Sequence, residues 1–130
     1  MSPLLEFIVR GTPKSQQAKS RKRWQESVQA AIPPQAELLA GVLRLRIDFF
    51  FNGSTDLDTD NIIKPIQDAL QDHIYEDDRI VVDVCSRKVN LNKPPRLINA
   101  SPALLFALSE PPSDFVLVRV AEAHSQMTFL

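Results

Sequence analysis

Residues 42–51 alternate in a way that few folds accommodate. Leu43, Leu45, Ile47, Phe49 and Phe51 fall on one side of an extended chain, and Arg44, Arg46 and Asp48 fall on the other. Period two held over ten residues predicts a strand with one face buried and the other at least partly wet. Such a strand needs a sheet around it and a layer of helix over its apolar side.

The flanking sequence supplies both. Residues 4–10 have strand composition around Phe7, Ile8 and Val9, ended by Gly11-Thr12-Pro13. Trp24, Val28 and Ala31 fall at helical spacing and predict a helix over 20–31, stopped by Pro33-Pro34. After a turn at Asn52-Gly53-Ser54-Thr55, a second helix enters near Asp60 or Asn61, either of which can cap it. Its apolar stripe runs through Ile62, Ile63, Ile66, Ala69, Leu70 and Ile74, with Pro65 in or near the first turn.

Residues 80–85 read as a strand continuing to Val89, and 90–99 as a loop with Pro94-Pro95. A short helix over 101–109 is capped by Ser101 with Pro102 at its first position, and a last strand covers 115–121. This order predicts an α+β fold: one domain over 1–130, with a mixed or antiparallel sheet and its helices packed on one side. At 130 residues, 44% hydrophobic and 24% charged, the chain has enough apolar material for one core.

No apolar run reaches the ~18 residues that would predict a membrane span. The first residues lack the basic-then-apolar pattern of an export signal. Both absences point to the cytoplasm. Cys85 is a single cysteine, expected to be a small buried residue; with His73 and His124 isolated, no zinc spacing exists.

The net charge of −1 hides an uneven distribution. Residues 1–50 carry +4, residues 51–83 carry −7, and residues 84–130 carry +2. The acid concentrates in Asp56-Leu57-Asp58-Thr59-Asp60 at the mouth of the second helix, and in Glu76-Asp77-Asp78 before the following strand. Carboxylates held that close repel unless they lie loose in solvent or share a cation. Magnesium takes oxygen ligands and keeps several waters. Asp58 and Asp60, two apart on an extended approach, can face one way, with Asp78 or Asp77 completing the pocket and Asp56 an additional carboxylate. Lys64 lies one turn on, on the face of Asp60 and Asp68. Acids, a divalent cation and a lysine suit phosphodiester hydrolysis. The basic stretch Lys14, Lys19, Arg21, Lys22 and Arg23 suits DNA phosphates. The ordinary alternatives are helix capping for the aspartates, an ion pair of Lys64 with Asp60 or Asp68, and a solvated basic surface.

The elements Asp58-x-Asp60-Asn61-x-x-Lys64, Asp68-Ala69-Leu70, Asp77-Asp78-x-x-Val81-Val82-Asp83 and Lys88 together resemble the RusA-type Holliday junction resolvases. The resemblance covers residues 55–90 well and extends weakly to Gly11-x-Pro13-x-Ser15. It implies Asp58, Asp60 and Asp78 as magnesium ligands, with manganese a possible substitute, Lys64 as the catalytic lysine, and Lys88 on phosphate. It further implies a homodimer that nicks a four-way DNA junction in pairs during recombination and repair, associated with the nucleoid when bound. The chain departs from the family in its acidic balance and in the segment 91–112, whose apolar run 103–108 has no obvious family counterpart. A nuclease for other branched DNA, a non-cleaving module for branched DNA, and a cation-stabilised structural protein are the rival readings.

Overall fold

The computed structural model describes residues 3–124 and 126–129. Its elements are β1 (Leu5–Arg10), α1 (Ala18–Ala31), β2 (Leu43–Phe51), α2 (Thr59–Leu70), a 3-10 turn (Asp78–Ile80), β3 (Val81–Asn90), α3 (Pro102–Ser109) and β4 (Phe115–Glu122). The four strands form one mixed sheet in the order β1-β4-β2-β3. β4 pairs antiparallel with both β1 and β2, while β2 and β3 run parallel. A parallel pair needs a crossover, and α2 provides it, which places the acidic motif at the sheet end where β2 stops.

The alternation in β2 holds. Leu43, Leu45, Ile47 and Phe49 are fully buried and meet Val116, Val118 and Val120 of β4 and Phe7 and Val9 of β1. Onto this face pack Trp24 and Val28 of α1 and Ile62, Ile66, Ala69 and Leu70 of α2. Ile62 and Ile66, with no exposed surface, each contribute about 2 kcal/mol through burial. Gly11, at φ +114, lets the chain turn beneath Trp24, which is a core anchor.

The helices are not all on one side. α3 lies on the opposite face, where Leu104 and Ala107 close over Phe50, Phe115 and Leu117. Phe50 and Phe115 stack with centroids 4.7 Å apart. The alternation of β2 marked its second face only by Arg44, Arg46 and Asp48, while Phe50 continues that face as an apolar patch. α3 starts as its sequence predicts, with Ser101 accepting from the Leu104 N–H at 3.2 Å. No helix among the described residues is long and apolar enough to cross a membrane.

Candidate active site at the mouth of α2

α2 begins earlier than the sequence suggests. Asp58, not Asp60 or Asn61, is the N-cap residue, in extended conformation, and its carbonyl accepts from the Asn61 N–H at 3.1 Å. Its carboxylate makes no capping bond. An aspartate here ordinarily turns its side chain onto the second or third helical N–H; in Asp58 the oxygens stay available. Pro65 consequently sits in the helix interior, buried, and removes the N–H that would bond the Asn61 carbonyl.

Asp60, Lys64 and Asp68 share one exposed face of α2. Lys64 Nζ lies 2.9 Å from Asp68 Oδ1 and 4.0 Å from Asp78 Oδ2. The Asp68 hydrogen bond, with its charge, raises the Lys64 pKa against a small opposing burial effect, and Asp78 adds to the rise. The lysine is therefore a fixed cation held by two carboxylates. Of the two alternatives offered by the spacing, Asp78 faces the lysine. Asp77 caps the 3-10 turn, accepting from the Arg79 N–H at 2.9 Å and pairing with the Arg79 guanidinium, which lowers its pKa.

Tyr75 is fully buried against α2 and donates to the Gln67 carbonyl at 2.9 Å. Burial pushes its pKa up, and the charges of Asp78 and Asp68 push it further. Lys88, on β3, donates to the Leu57 carbonyl at 2.9 Å and so ties the loop before Asp58 to the sheet. The basic residues divide between a loop and a helix: Lys14 lies before α1, while Lys19, Arg21, Lys22 and Arg23 stand exposed on its first turns. Thr12, Ser15 and Gln17 of this region face Thr55 and Asp56 across a groove of ≈ 480 Å³. Lys14 of the basic segment and Asp56 of the acidic loop thus line one cleft, while Lys19, Arg21, Lys22 and Arg23 lie outside its lining.

Among the described residues no three His, Cys, Asp or Glu side chains gather closely enough to hold a metal ion. Asp58, Asp60 and Asp78 are thus not drawn into a closed cage. Their donor chemistry nonetheless suits magnesium, which asks for one or two carboxylates and several waters, and Asp58 offers oxygens free of any cap.

Two other acids, Asp83 and Asp48, serve otherwise. Asp83, within the motif, is held by Arg46 at 3.0 and 3.1 Å, which lowers its pKa. Asp48, 3% exposed, is clamped between Arg87 at 2.5 Å and Arg119 at 3.0 Å. The alternation expected Asp48 to be partly wet. Its only signal was its place among arginines on strands not yet known to be neighbours.

Residues 8–98 match the family model of endodeoxyribonuclease RusA, more than half of the chain. The chain belongs to the RusA family. It thereby joins nucleases of DNA recombination and repair that resolve Holliday junctions. The RusA match takes in the second half of β1 and all of α1, β2, α2, the 3-10 turn and β3, and ends before α3. No curated protein matches the chain.

Proposed function

We propose that this RusA-family chain is a magnesium-dependent, structure-selective endonuclease that resolves four-way DNA junctions by paired symmetric nicks, working as a homodimer in the cytoplasm. The observation that carries the reading is Lys64, poised between Asp68 and Asp78 one helical turn from Asp60 and the uncapped Asp58. A buried structural lysine would be satisfied by one acid; an exposed one flanked by excess carboxylates is arranged to meet a further charged group.

Asp58 and Asp60, with Asp78, would hold magnesium, and manganese in its place. The bound metal would supply Lewis-acid stabilisation of phosphate charge and a more acidic water. Lys64 gives the scissile phosphate a positive partner; when the phosphate arrives, its hold on Asp68 and Asp78 is exchanged for the substrate oxygens. Lys88 keeps the loop that carries Asp58 in place, and a phosphate in the cleft would compete with the Leu57 carbonyl for its ammonium. Lys14 lines that cleft, and with Lys19, Arg21, Lys22 and Arg23, exposed at the start of α1, it would contact the DNA backbone outside the cut. Two nicks require two such sites, which a twofold dimer supplies.

The test is nicking of a synthetic four-way junction with magnesium, with EDTA, and by the Asp60→Asn protein. Paired metal-dependent cuts, absent in the variant, support the reading. Equal cutting of flaps and plain duplex would make it a less selective nuclease. Binding without cutting, across magnesium and manganese concentrations, would make it a junction-binding module.

A further inference from the structure

On the second face of the sheet, α3 covers Phe50, Phe115 and Leu117, and beside that patch the same strands turn charged. A hollow of ≈ 800 Å³ lies here, against residues 91–101, the connection from β3 to α3. Asp48, Arg87 and Arg119 line it from three adjacent strands, and Arg96 lines it from the connection.

Asp48, nearly buried, holds both strand arginines. Arg87 gives it Nε at 2.5 Å, and Arg119 gives it Nη2 at 3.0 Å. One carboxylate therefore fixes two guanidiniums and neutralises one. The terminal nitrogens of Arg87 make no hydrogen bond among the described residues, and its side chain is 61% exposed. The Arg119 Nε has no partner. Arg96 is exposed and enters none of the ion pairs of this face. Glu6, opposite Arg119 on β1, brings one more carboxylate to the hollow. Three guanidiniums thus meet two carboxylates, with donor edges left open. A guanidinium fixed by one edge presents a planar set of donors that matches phosphate oxygens.

The remaining wall is apolar. Leu97, Ile98 and Leu104 line it, and Ile98 is 73% exposed. A bare phosphate gains nothing from such a wall. A ligand with a flat apolar body next to its phosphate uses both parts, and a nucleobase is such a body. Arg96 also offers a cationic plane on which a base can stack. The volume lies in the range that holds a small organic ligand.

β3 joins this hollow to the candidate active site. It is an edge strand, and successive side chains of a strand point to opposite faces. Lys88 reaches the Leu57 carbonyl, next to Asp58, while its neighbour Arg87 reaches Asp48 on the other face. A DNA strand passing over this edge leaves one and meets the other.

We propose that Arg87, Arg96 and Arg119, organised around Asp48, form a nucleotide-binding site apart from the α2 mouth. The guanidiniums take a phosphate, and Leu97, Ile98 and Leu104 take the base, of an unpaired DNA strand that crosses the β3 edge. A duplex keeps its bases stacked inside and offers such a hollow only backbone. That the strand comes from a branch point rests on the nuclease reading; the binding is measured apart from it.

The full chain is titrated in EDTA with a single-stranded thymidine octanucleotide, with thymidine monophosphate and with inorganic phosphate, and NMR signals report where each binds. The octanucleotide should shift Arg87, Arg96, Ile98 and Leu104 and bind ~10-fold more tightly than the monophosphate, with phosphate weakest. Arg87→Gln/Arg96→Gln should bind the octanucleotide at least ~10-fold more weakly. Its slope of log affinity against log salt should fall by about 1.4, for two lost phosphate contacts. Arg87 also braces Asp48, so Arg96→Gln alone is the second variant. It should lose ~3-fold in affinity and about 0.7 in slope, with the melting temperature unchanged.

Shifts confined to residues 14–23 and the mouth of α2, or equal binding by both variants, overturn the proposal. So does monophosphate binding as tight as the octanucleotide's, which would make the ligand a free nucleotide. Phosphate binding as tight as the monophosphate's would remove the base and sink it too. A change of oligomeric state in the double variant overturns it as well, by assigning the arginines to a contact between copies. A parent that shows this site but cuts no junction with magnesium sinks the nuclease reading and leaves the nucleotide site standing. One that cuts junctions while these signals stay unmoved sinks the nucleotide site alone.

Discussion

Two groups of aspartates lie on opposite sides of this molecule, and they differ in their partners. On the sheet face shared with α3, Asp48 is buried between Arg87 and Arg119, and Asp83 is gripped by both nitrogens of Arg46. At the mouth of α2, Asp58 and Asp60 are exposed, Asp58 without even the cap bond its position offers, and Asp78 has Lys64 only at 4.0 Å. A carboxylate matched by guanidinium is part of the framework. One left with spare oxygens, beside others of the same charge, raises the energy of the free protein and is relieved by a cation. The acids that look wasteful for folding are the ones to which the proposed function gives the chemistry.

The largest test of that contrast is Asp60→Asn. Junction cleavage should fall by about 1000-fold, while the melting temperature stays level or rises, because a repelling charge has gone. A large loss of stability would move Asp60 into the framework group. The converse is Asp48→Ala, which leaves two guanidiniums facing a hole in the sheet. It should cost about 3 kcal/mol in denaturant unfolding, with the cleavage rate per folded molecule unchanged. Arg87 is 61% exposed and can rehydrate, so the cost stays below that of a fully buried stranded charge.

Lys64→Ala comes next. Cleavage should drop about 100-fold with junction binding retained, and stability should move by no more than about 0.5 kcal/mol, since its ion pairs are solvent-facing. A stability loss beyond that would make Lys64 a strut rather than a catalytic group.

The smallest effect belongs to Tyr75, which sits under the site and belongs to the core. Its folded-state pKa is raised, first by burial and then by Asp78 and Asp68. The fold thus favours the neutral phenol. That contribution is complete below the unfolded value of about 10 and is lost as pH rises through and beyond it. Tyr75→Phe should cost about 1 kcal/mol at neutral pH, from the bond to the Gln67 carbonyl. Its denaturation midpoint should fall less steeply than the parent's between pH 9 and pH 11, as about two units of titration bracket the phenol.

Much of this was legible along the chain. The β2 alternation gave the buried face because period two is a property of any strand. Ser101-Pro102 gave the start of α3 because capping and proline preference are local. The step of four from Asp60 through Lys64 to Asp68 gave the ion pair because it lies within one helix. Other features were misplaced because distant residues decided them. The first turn of α2 moved back to Thr59, leaving Pro65 in the interior, where its burial offsets the missing bond. α3 crossed to the second face because Phe50, Phe115 and Leu117, apolar residues on two strands, form a patch only when β4 lies beside β2.

The sequence by itself determined the element types, the apolar stripe that joins α2 to the sheet, and the set of acids and lysine on which the RusA resemblance rests. These depend on spacing within a few residues, which the covalent chain sets. The tertiary structure decided the insertion of β4 between β1 and β2, the arginine clamp on Asp48, the choice of Asp78 over Asp77 to face Lys64, and the placing of Lys14 and Asp56 along one cleft. Each joins residues far apart in the chain, and such pairings follow from how the strands order themselves to bury both faces of the sheet.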